Sequence, residues 1–537
     1  MLKTPADLPN DIEALKALVL SQQTELHAHS LSIQALRLQI ARLKKQKFGA
    51  SSEKIQREIE QLELVLEGLE IASAENNALP PDEGDTVDPK DSDENNTLPK
   101  TPPRRRPRVC DTIPRERRTL DPGDVCADCG GALRLIDEDI SSILEMVTAK
   151  LKVIETARPK KSCRCCEKIV QVPAPTRPIP GSLAGPSLLA FILVSKYDDH
   201  LPLYRLNEIF ARMGVDIPDT TLVDWCGRSM RTLTPLVDLI SKEIMASDRL
   251  HADDSPIRVL DRSRRAAGFD KNVREGRIWV YVRDDRPWAG TSPPGAVYRF
   301  SPDRKGERPR EHLKDFKGIL QADAYAGFKD LYKPDEKGNI SIKEAACWAH
   351  ARREFHDFWK LSGSEIAKEA LERIGALYDI EGQIKGLSAE ARLIRRQLHS
   401  KPKFEAFEQW AKQQLEIISG KGDLAKAFRY ILSRRAAFTL FLEDGRVAID
   451  NNVAERAMKP IAVGRKNWLF AGSNSGGETL AKAMTIIETA KLCDLDPQSY
   501  LADVLARIND HKINRLDELL PWNWKPLVSS SENQKAA

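Results

Sequence analysis

Apolar residues recur every seven positions at the start of the chain, at Ile12, Val19, Leu26, Ile33 and Ile40, with Leu15, Gln22, His29, Leu36 and Leu43 between them. A narrow stripe sustained in this way predicts a coiled coil that joins copies of the chain. Gln22 and His29 weaken the seam, and one amphipathic helix lying on the rest of the chain would carry the same pattern. The phrase Lys47–Lys54 interrupts the stripe, and Ser52 within it reads as the N-cap of a second helix with Ile55, Ile59, Leu62, Leu66 and Leu69 on one face.

Further along, the period changes. The Val-, Ile- and Thr-rich run from Ile143 to Thr156 reads as a strand. Residues 181–245 read as helices: one opened by Pro186, one from Tyr204 to Met213, and one capped by Asp219 and running through Trp225 to Met230. A glycine turn, Gly214–Pro218, separates the last two, which is the helix-turn-helix pattern, although any small helical core looks similar. Beyond Ala246, strands are expected at Arg249–Leu260, Arg277–Val282, Ala296–Phe300 and Gly318–Ala322. Helices follow from Ala345, a charged helical stretch runs to about Asp444, and Asp450–Arg456 opens another helix.

A chain of 537 residues is long enough for several domains. Its 83 Lys and Arg nearly balance its 79 Asp and Glu, so net charge alone does not announce a nucleic-acid partner. The distribution is more telling. Residues 74–100 carry eight acids and no aromatic residue, the composition of a disordered linker. Between Thr101 and Arg118 the sign reverses, with seven arginines, Arg104, Arg105 and Arg106 among them. That tract either contacts DNA phosphates or solvates the linker. No apolar run reaches the length of a membrane span and no secretory leader is visible, so a soluble, cytoplasmic protein is expected.

Six of the nine cysteines fall between Cys110 and Cys166, which in a reducing compartment favours metal over disulfides. Cys126–Cys129 and Cys163–Cys166 form two C-x-x-C knuckles, the pattern of a structural four-cysteine zinc site, with Gly130–Gly131 turning the chain after the first and Cys165 spare. Three carboxylates stand out next: Asp253 in a strand, Asp323 at a strand end and Glu455 at a helix start. Carboxylates in such settings are costly unless paired or bound to cations. Converging on one point they would suit magnesium; the alternative is surface or cap acids. Gly472–Gly477 lacks the Lys-Ser/Thr of a phosphate loop, which argues against ATP.

The strings FGASSEK, CADCGG, KYDDHLPLYR, HADDSP, QADAYAGF, CWAHARREF, IDNNVAERAMKPIAVGRKNWLFAGS and IETAKL, in this order, resemble the insertion-sequence-66 transposases (TnpC-type) over nearly the whole chain. The resemblance implies an RNase H-like mixed-sheet catalytic domain with an Asp-Asp-Glu site, falling here on Asp253, Asp323 and Glu455. It also implies a helical insertion, placed at about 361–445. The expected fold is thus multidomain α+β: coiled-coil helices over 1–73, an acidic then basic linker over 74–118 and a zinc ribbon over 119–180. A helix-turn-helix over 181–245, the catalytic domain over 246–495 and a C-terminal element over 496–537 complete it.

Asp253 and Asp254 are neighbours and on a strand face opposite ways, so only one can be the usual ligand. The motif selects Asp253. Arg352, Arg353, Arg456, Lys459, Arg465 and Lys466 would hold DNA phosphates, or form a solvated basic face. Cys347 and His350 suit packing or hydrogen bonding beside the site better than a metal pair. The implied activity is DNA transposition: binding of terminal inverted repeats, strand cleavage with two magnesium or manganese ions, and transfer to target DNA. Accessory proteins of the same element, a homo-oligomer and a nucleoid-associated location in a bacterial cytoplasm go with it. The rivals are a DNA-binding regulator with an inactive catalytic domain and a plain metal-dependent nuclease.

Overall fold

The computed structural model describes residues 108–109, 113–147, 150–261, 273–323, 325–334, 338–468 and 470–527. All of them belong to one compact unit, Pro103–Ala537. The heptad seam from Ile12 to Leu43, the helix expected after Ser52, the acidic linker and Arg104, Arg105 and Arg106 lie outside the described residues.

A short strand, β1 (Arg108–Val109), precedes a small sheet of β2 (Arg115–Thr119), β3 (Leu133–Val147), β4 (Lys150–Cys163) and β5 (Ile169–Val170). β3 and β4 form one long antiparallel hairpin, β2 lies parallel to β4 on its other side, and β5 pairs with the end of β4. The run Ile143–Thr156, expected as a single strand, therefore spans the reversal between β3 and β4. Its β-branched residues occur on both sides of a two-residue connection, and periodicity does not separate two short halves from one strand.

The closed end of the hairpin enters the main core. Leu144, Leu151 and Val153 are buried there, and Leu144 exchanges backbone hydrogen bonds with Leu183 and Gly185. Pro186 then opens α1 (Pro186–Tyr197), because a proline's missing N–H costs nothing in the first turn. Helix α1 is apolar all round and central. Helix α2 (Leu203–Arg212) presents Leu206 and Phe210 inward. The turn after it contains β6 (Val215–Asp216), paired antiparallel with β1. Helix α3 (Asp219–Met245) is longer than the sequence pattern suggested. Leu233, Leu236, Val237, Ile240 and Ile244 prolong its buried stripe past Met230, so it leaves the helical region and packs against the large sheet.

That sheet has β7 (Arg249–Leu260), β8 (Val273–Arg283), β9 (Gly295–Ser301), β10 (Gly318–Ala322) and β11 (Ile342–Ala345), in the order β11-β10-β7-β8-β9. β7, β8 and β9 are antiparallel neighbours, whereas β10 runs parallel to β7 and β11 parallel to β10. A short helix, α4 (Glu307–His312), lies between β9 and β10.

After β11 come six helices with their own core: α5 (Trp348–Ser362), α6 (Glu365–Gln383), α7 (Ala389–Arg395), α8 (Lys401–Ile417), α9 (Asp423–Ser433) and α10 (Arg435–Glu443). Trp348, Phe355, Phe404, Phe407, Phe428 and Phe438 fill that core edge to face. The chain returns to the sheet with α11 (Asn452–Asn467), which packs on β7 and β8.

Helix α12 (Asn474–Leu492) covers β9, the free edge of the sheet. Thr485 Oγ1 accepts the Tyr298 N–H at 2.9 Å and Thr489 Oγ1 accepts that of Ala296 at 3.2 Å, so the edge is satisfied by side chains rather than by another strand. Helix α13 (Pro497–Arg507) closes the unit against α1. Among the described residues, no helix is long and apolar enough to cross a membrane.

Candidate active site and metal centre

The parallel pairing of β10 with β7 decides the geometry. In register, Gln321 lies opposite His251 and Ala322 opposite Ala252. The next step places Asp253 of β7 beside Asp323, the first residue past β10. Neighbouring strands lie about 4.8 Å apart, and residues at matching register face the same side. Glu455 comes to the same place from the first turns of α11, which lies on β7. Burial, reinforced by Asp323, Asp254 and Glu455, pushes the Asp253 carboxyl up to about 7. The three acids expected from sequence thus share one electrostatic neighbourhood.

Asp254 is spent elsewhere. Its carboxylate, 1% exposed, accepts Arg304 Nε and Nη2, each at 2.8 Å, and lies 3.3 Å from Arg277 Nη1. Arg304 also covers the Tyr325 ring, and Tyr325 donates to the Arg304 carbonyl. Asp254 therefore braces the loop that follows Asp323 from the opposite face of β7.

Asp253 and Glu455 open into a cleft of about 510 Å³ that also meets His350, Arg353, Arg456 and Lys459. A second hollow of about 550 Å³ shares Arg353 and Asn452 with it and adds Arg352 and His356. Arg352, Arg353, Arg456, Lys459 and Lys466 are exposed. Arg465 is half-buried and uses Nη1 on Ser255 Oγ and the Pro256 carbonyl, each at 3.1 Å, which ties α11 to β7.

Glu455 Oε1 and His350 Nδ1 are both screened from solvent and have no hydrogen-bond partner, although they lie 3.5 Å apart. An unsatisfied carboxylate oxygen, in a cleft already crowded with negative charge, is the arrangement that a divalent cation relieves. The donor set of Asp253, Asp323 and Glu455 is all oxygen, as a hard ion such as magnesium requires. The three acids are thus of the right kind for the group, although among the described residues the ligand atoms that come within 4.8 Å of one another around Glu455 are those of Cys347, His350 and Glu455.

Sequence reasoning did not single out three buried polar residues behind these acids, His251, Gln321 and Asn451. His251 and Gln321 each stand two residues before an aspartate on a strand, which puts them on its face. Burial pushes the His251 imidazole down to about 4, so the ring is neutral. The string Asp450-Asn-Asn was read only as a helix start.

In the small sheet, Cys126, Cys129, Cys163 and Cys166 bring their sulfurs within 4.8 Å of one another. The cross-knuckle separations are 3.6 Å for Cys126–Cys166 and 3.3 Å for Cys129–Cys163. Zinc–sulfur bonds of about 2.3 Å in a tetrahedron place sulfurs about 3.8 Å apart, so the four thiols fit one zinc ion. Backbone N–H groups of Cys166 and Cys165 pull the Cys163 thiol down to about 6. Cys165 stays outside this group.

A four-cysteine ribbon, a helical region and an acidic cleft bordered by cations are together the equipment of a transposase, and the comparisons with known proteins agree. A model described as the transposase IS66 family matches residues 181–479, and one for the IS66 C-terminal element matches 485–522. A zinc-finger binding domain of transposase IS66 matches 124–167, which contains the four cysteines, and a model described as transposase C of IS166 homeodomain matches 35–118. The chain belongs to the IS66 transposase family. Two relatives in Sinorhizobium fredii (strain NBRC 101917 / NGR234) bear the names uncharacterized protein y4hP and uncharacterized protein y4qI. The first is 41% identical over 92% of this chain and 89% of its own length, and the second 35% identical over 98% and 99%.

Proposed function

We propose that this protein is the DNA-cleaving and strand-joining transposase of its insertion sequence, with Asp253, Asp323 and Glu455 as the acidic triad. The observation that carries the reading is that Asp253 on β7 and Asp323, one residue past the end of the parallel strand β10, follow the last paired residues Ala252 and Ala322, and that Asp323 and Glu455 both raise the Asp253 carboxyl. Three antiparallel strands followed by two parallel ones, in the order β11-β10-β7-β8-β9, support reading this sheet as RNase H-like. The helices α5–α10, from Trp348 to Glu443, overlap the stretch expected at about 361–445 and would be the insertion between the second aspartate and the glutamate.

Magnesium held by the three carboxylates would supply Lewis acidity for the attacking hydroxyl and the departing oxygen of a phosphodiester. The chain's own contribution is placement. Arg353, Arg456 and Lys459 border the cleft and would grip the phosphates flanking the scissile bond, while Arg352 and Lys466 extend that grip along the strand. Asp254, locked by Arg304 and Arg277, holds the loop after β10 so that Asp323 keeps its position. The zinc ribbon, the helix-turn-helix of α2 and α3, and Arg104, Arg105 and Arg106 would recognise the terminal repeats. The heptads from Ile12 to Leu43 would join copies of the chain in a complex with both ends and with accessory proteins of the element.

The test is incubation of the purified chain with magnesium and labelled element ends, scoring cleavage and joining separately. Both products are expected. Cleavage without joining identifies a nuclease, and tight end binding without cleavage identifies a regulator.

A further inference from the structure

Asn451 is the N-cap residue of α11, four positions before Glu455. Asparagine at that position ordinarily turns its side-chain oxygen onto the first N–H groups of its own helix. Here it makes no such cap. Asp450 takes over part of that role, accepting the Asn452 N–H at 3.2 Å and its Nδ2 at 2.7 Å. The Asn451 carboxamide, 1% exposed, is turned instead toward β7. Its Nδ2 donates to the Ala252 carbonyl at 2.8 Å, and its Oδ1 lies 3.1 Å from His251 Nδ1. Because Nδ2 must face a carbonyl, Oδ1 must face the imidazole, and a neutral His251 then carries its proton on Nδ1.

The backbone of Asn451 makes a third link. Its N–H donates to Cys347 Sγ at 3.2 Å, and Cys347 is the N-cap of α5, the helix that carries His350 and Arg353. One buried residue therefore joins the strand of Asp253, the helix of Glu455 and the helix of His350. Beside it, Gln321 of β10 repeats the device: its Nε2 donates to the Ala448 carbonyl at 2.7 Å, just before α11. An oxygen-ligand site for a small divalent ion depends on carboxylates held in place from behind, and such supports are worth roughly 10–100-fold in metal affinity or activity.

We infer that Asn451 is a positioning residue of the carboxylate site, setting the separation of Glu455 from Asp253 through its bonds to Ala252, His251 and Cys347. The inference rests on the reading of Asp253, Asp323 and Glu455 as a divalent-metal site.

The experiment is a manganese titration of the full-length, zinc-loaded chain, with free manganese counted from its electron paramagnetic resonance signal. Asn451→Ala is expected to weaken manganese binding roughly 10-fold or more and to raise the magnesium concentration for half-maximal end cleavage by a similar factor. Occupancy of element ends should stay unchanged. Tyr500→Phe removes another buried hydrogen bond, from Tyr500 Oη to the Leu519 carbonyl, far from these acids in the chain. It should lower thermal stability and leave manganese affinity alone, which separates positioning from general loosening.

Should Asn451→Ala fail to fold, His251→Phe keeps a ring and removes only the partner of Oδ1, and it should weaken manganese binding too. Wild-type manganese affinity in the folded variant overturns the inference. Glu455→Gln in the same titration distinguishes the two failures. If it binds manganese like wild type, the metal-site reading itself falls. If it loses manganese while Asn451→Ala does not, only the positioning role falls.

Discussion

Asp253 and Asp254 are adjacent in sequence and opposite in role, so neutralising each should move stability in opposite directions. In the absence of magnesium, the Asp253 carboxyl is shifted from an ordinary 3.8 to about 7, first by burial and then by its acidic neighbours. About three units correspond to about 4 kcal/mol of ionisation cost carried by the folded state. The folded-state value is raised, so the stability this group contributes is present below pH 4 and is lost as pH rises through 7. Asp253→Asn never ionises and keeps that stability. Without added magnesium it should therefore match wild type near pH 4 and exceed it by up to about 4 kcal/mol at pH 8.

Asp254→Asn leaves Arg277 and Arg304 facing a neutral amide. Stranding a buried charge costs about 3–5 kcal/mol, and the low end applies because Arg304 is 38% exposed. The assay is urea unfolding at pH 4 and pH 8, with zinc retained, with and without magnesium. Added magnesium should stabilise wild type and Asp254→Asn but not Asp253→Asn, since only a bound ion shifts the equilibrium. If Asp253→Asn is less stable than wild type at pH 8 without magnesium, the carboxylates are not crowded and the reasoning fails.

Other consequences are open to simpler measurements. Cys126→Ser should lose the roughly one zinc ion expected per chain and unfold the ribbon, because structural zinc supplies local folding free energy; full zinc content by atomic absorption would contradict the four-cysteine assignment. Glu145, on β3, accepts the Ser187 N–H at the start of α1, and burial pushes its carboxyl up to about 7. Its stabilising protonated form is lost as pH rises from about 4.5 to 7, so Glu145→Gln should be about 3 kcal/mol more stable than wild type at pH 8 and equal to it near pH 4 in urea unfolding. Removing residues 1–48 should lower the oligomer size seen in sedimentation and leave zinc content unchanged, and an unchanged size would make the heptad seam intramolecular.

Much of the site was legible because its chemistry is local in sequence. The knuckles at Cys126 and Cys163 announce one centre by spacing, and the short apolar run Gly318–Ala322 shows as the strand that ends just before Asp323. The opposed orientation of Asp253 and Asp254 follows from strand alternation alone, and the structure shows what Asp254 does with its side. What remained hidden depends on partners far apart in the chain. His251 and Asn451 are 200 positions apart, and nothing near either one specifies the bond between them. β11 escaped because it has four residues, two of them charged, and derives its strand character from pairing with β10. The C-terminal half of α3, past Met230, was not joined to it because Pro235 lies inside that stretch, whereas its buried residues from Leu233 to Ile244 pack on the large sheet.

The central claim is that Asp253, Asp323 and Glu455 act as one metal-binding, strand-cleaving set. The most direct test is magnesium-dependent cleavage of labelled element ends by Asp253→Asn, Asp323→Asn and Glu455→Gln, each at DNA occupancy equal to wild type. Occupancy should be attainable because end affinity comes from phosphate contacts outside the triad. All three variants are expected to lose cleavage and joining together, while Asp254→Asn, which removes a support and not a ligand, should cost less than any of them. Wild-type cleavage by Asp323→Asn or Glu455→Gln would contradict the account.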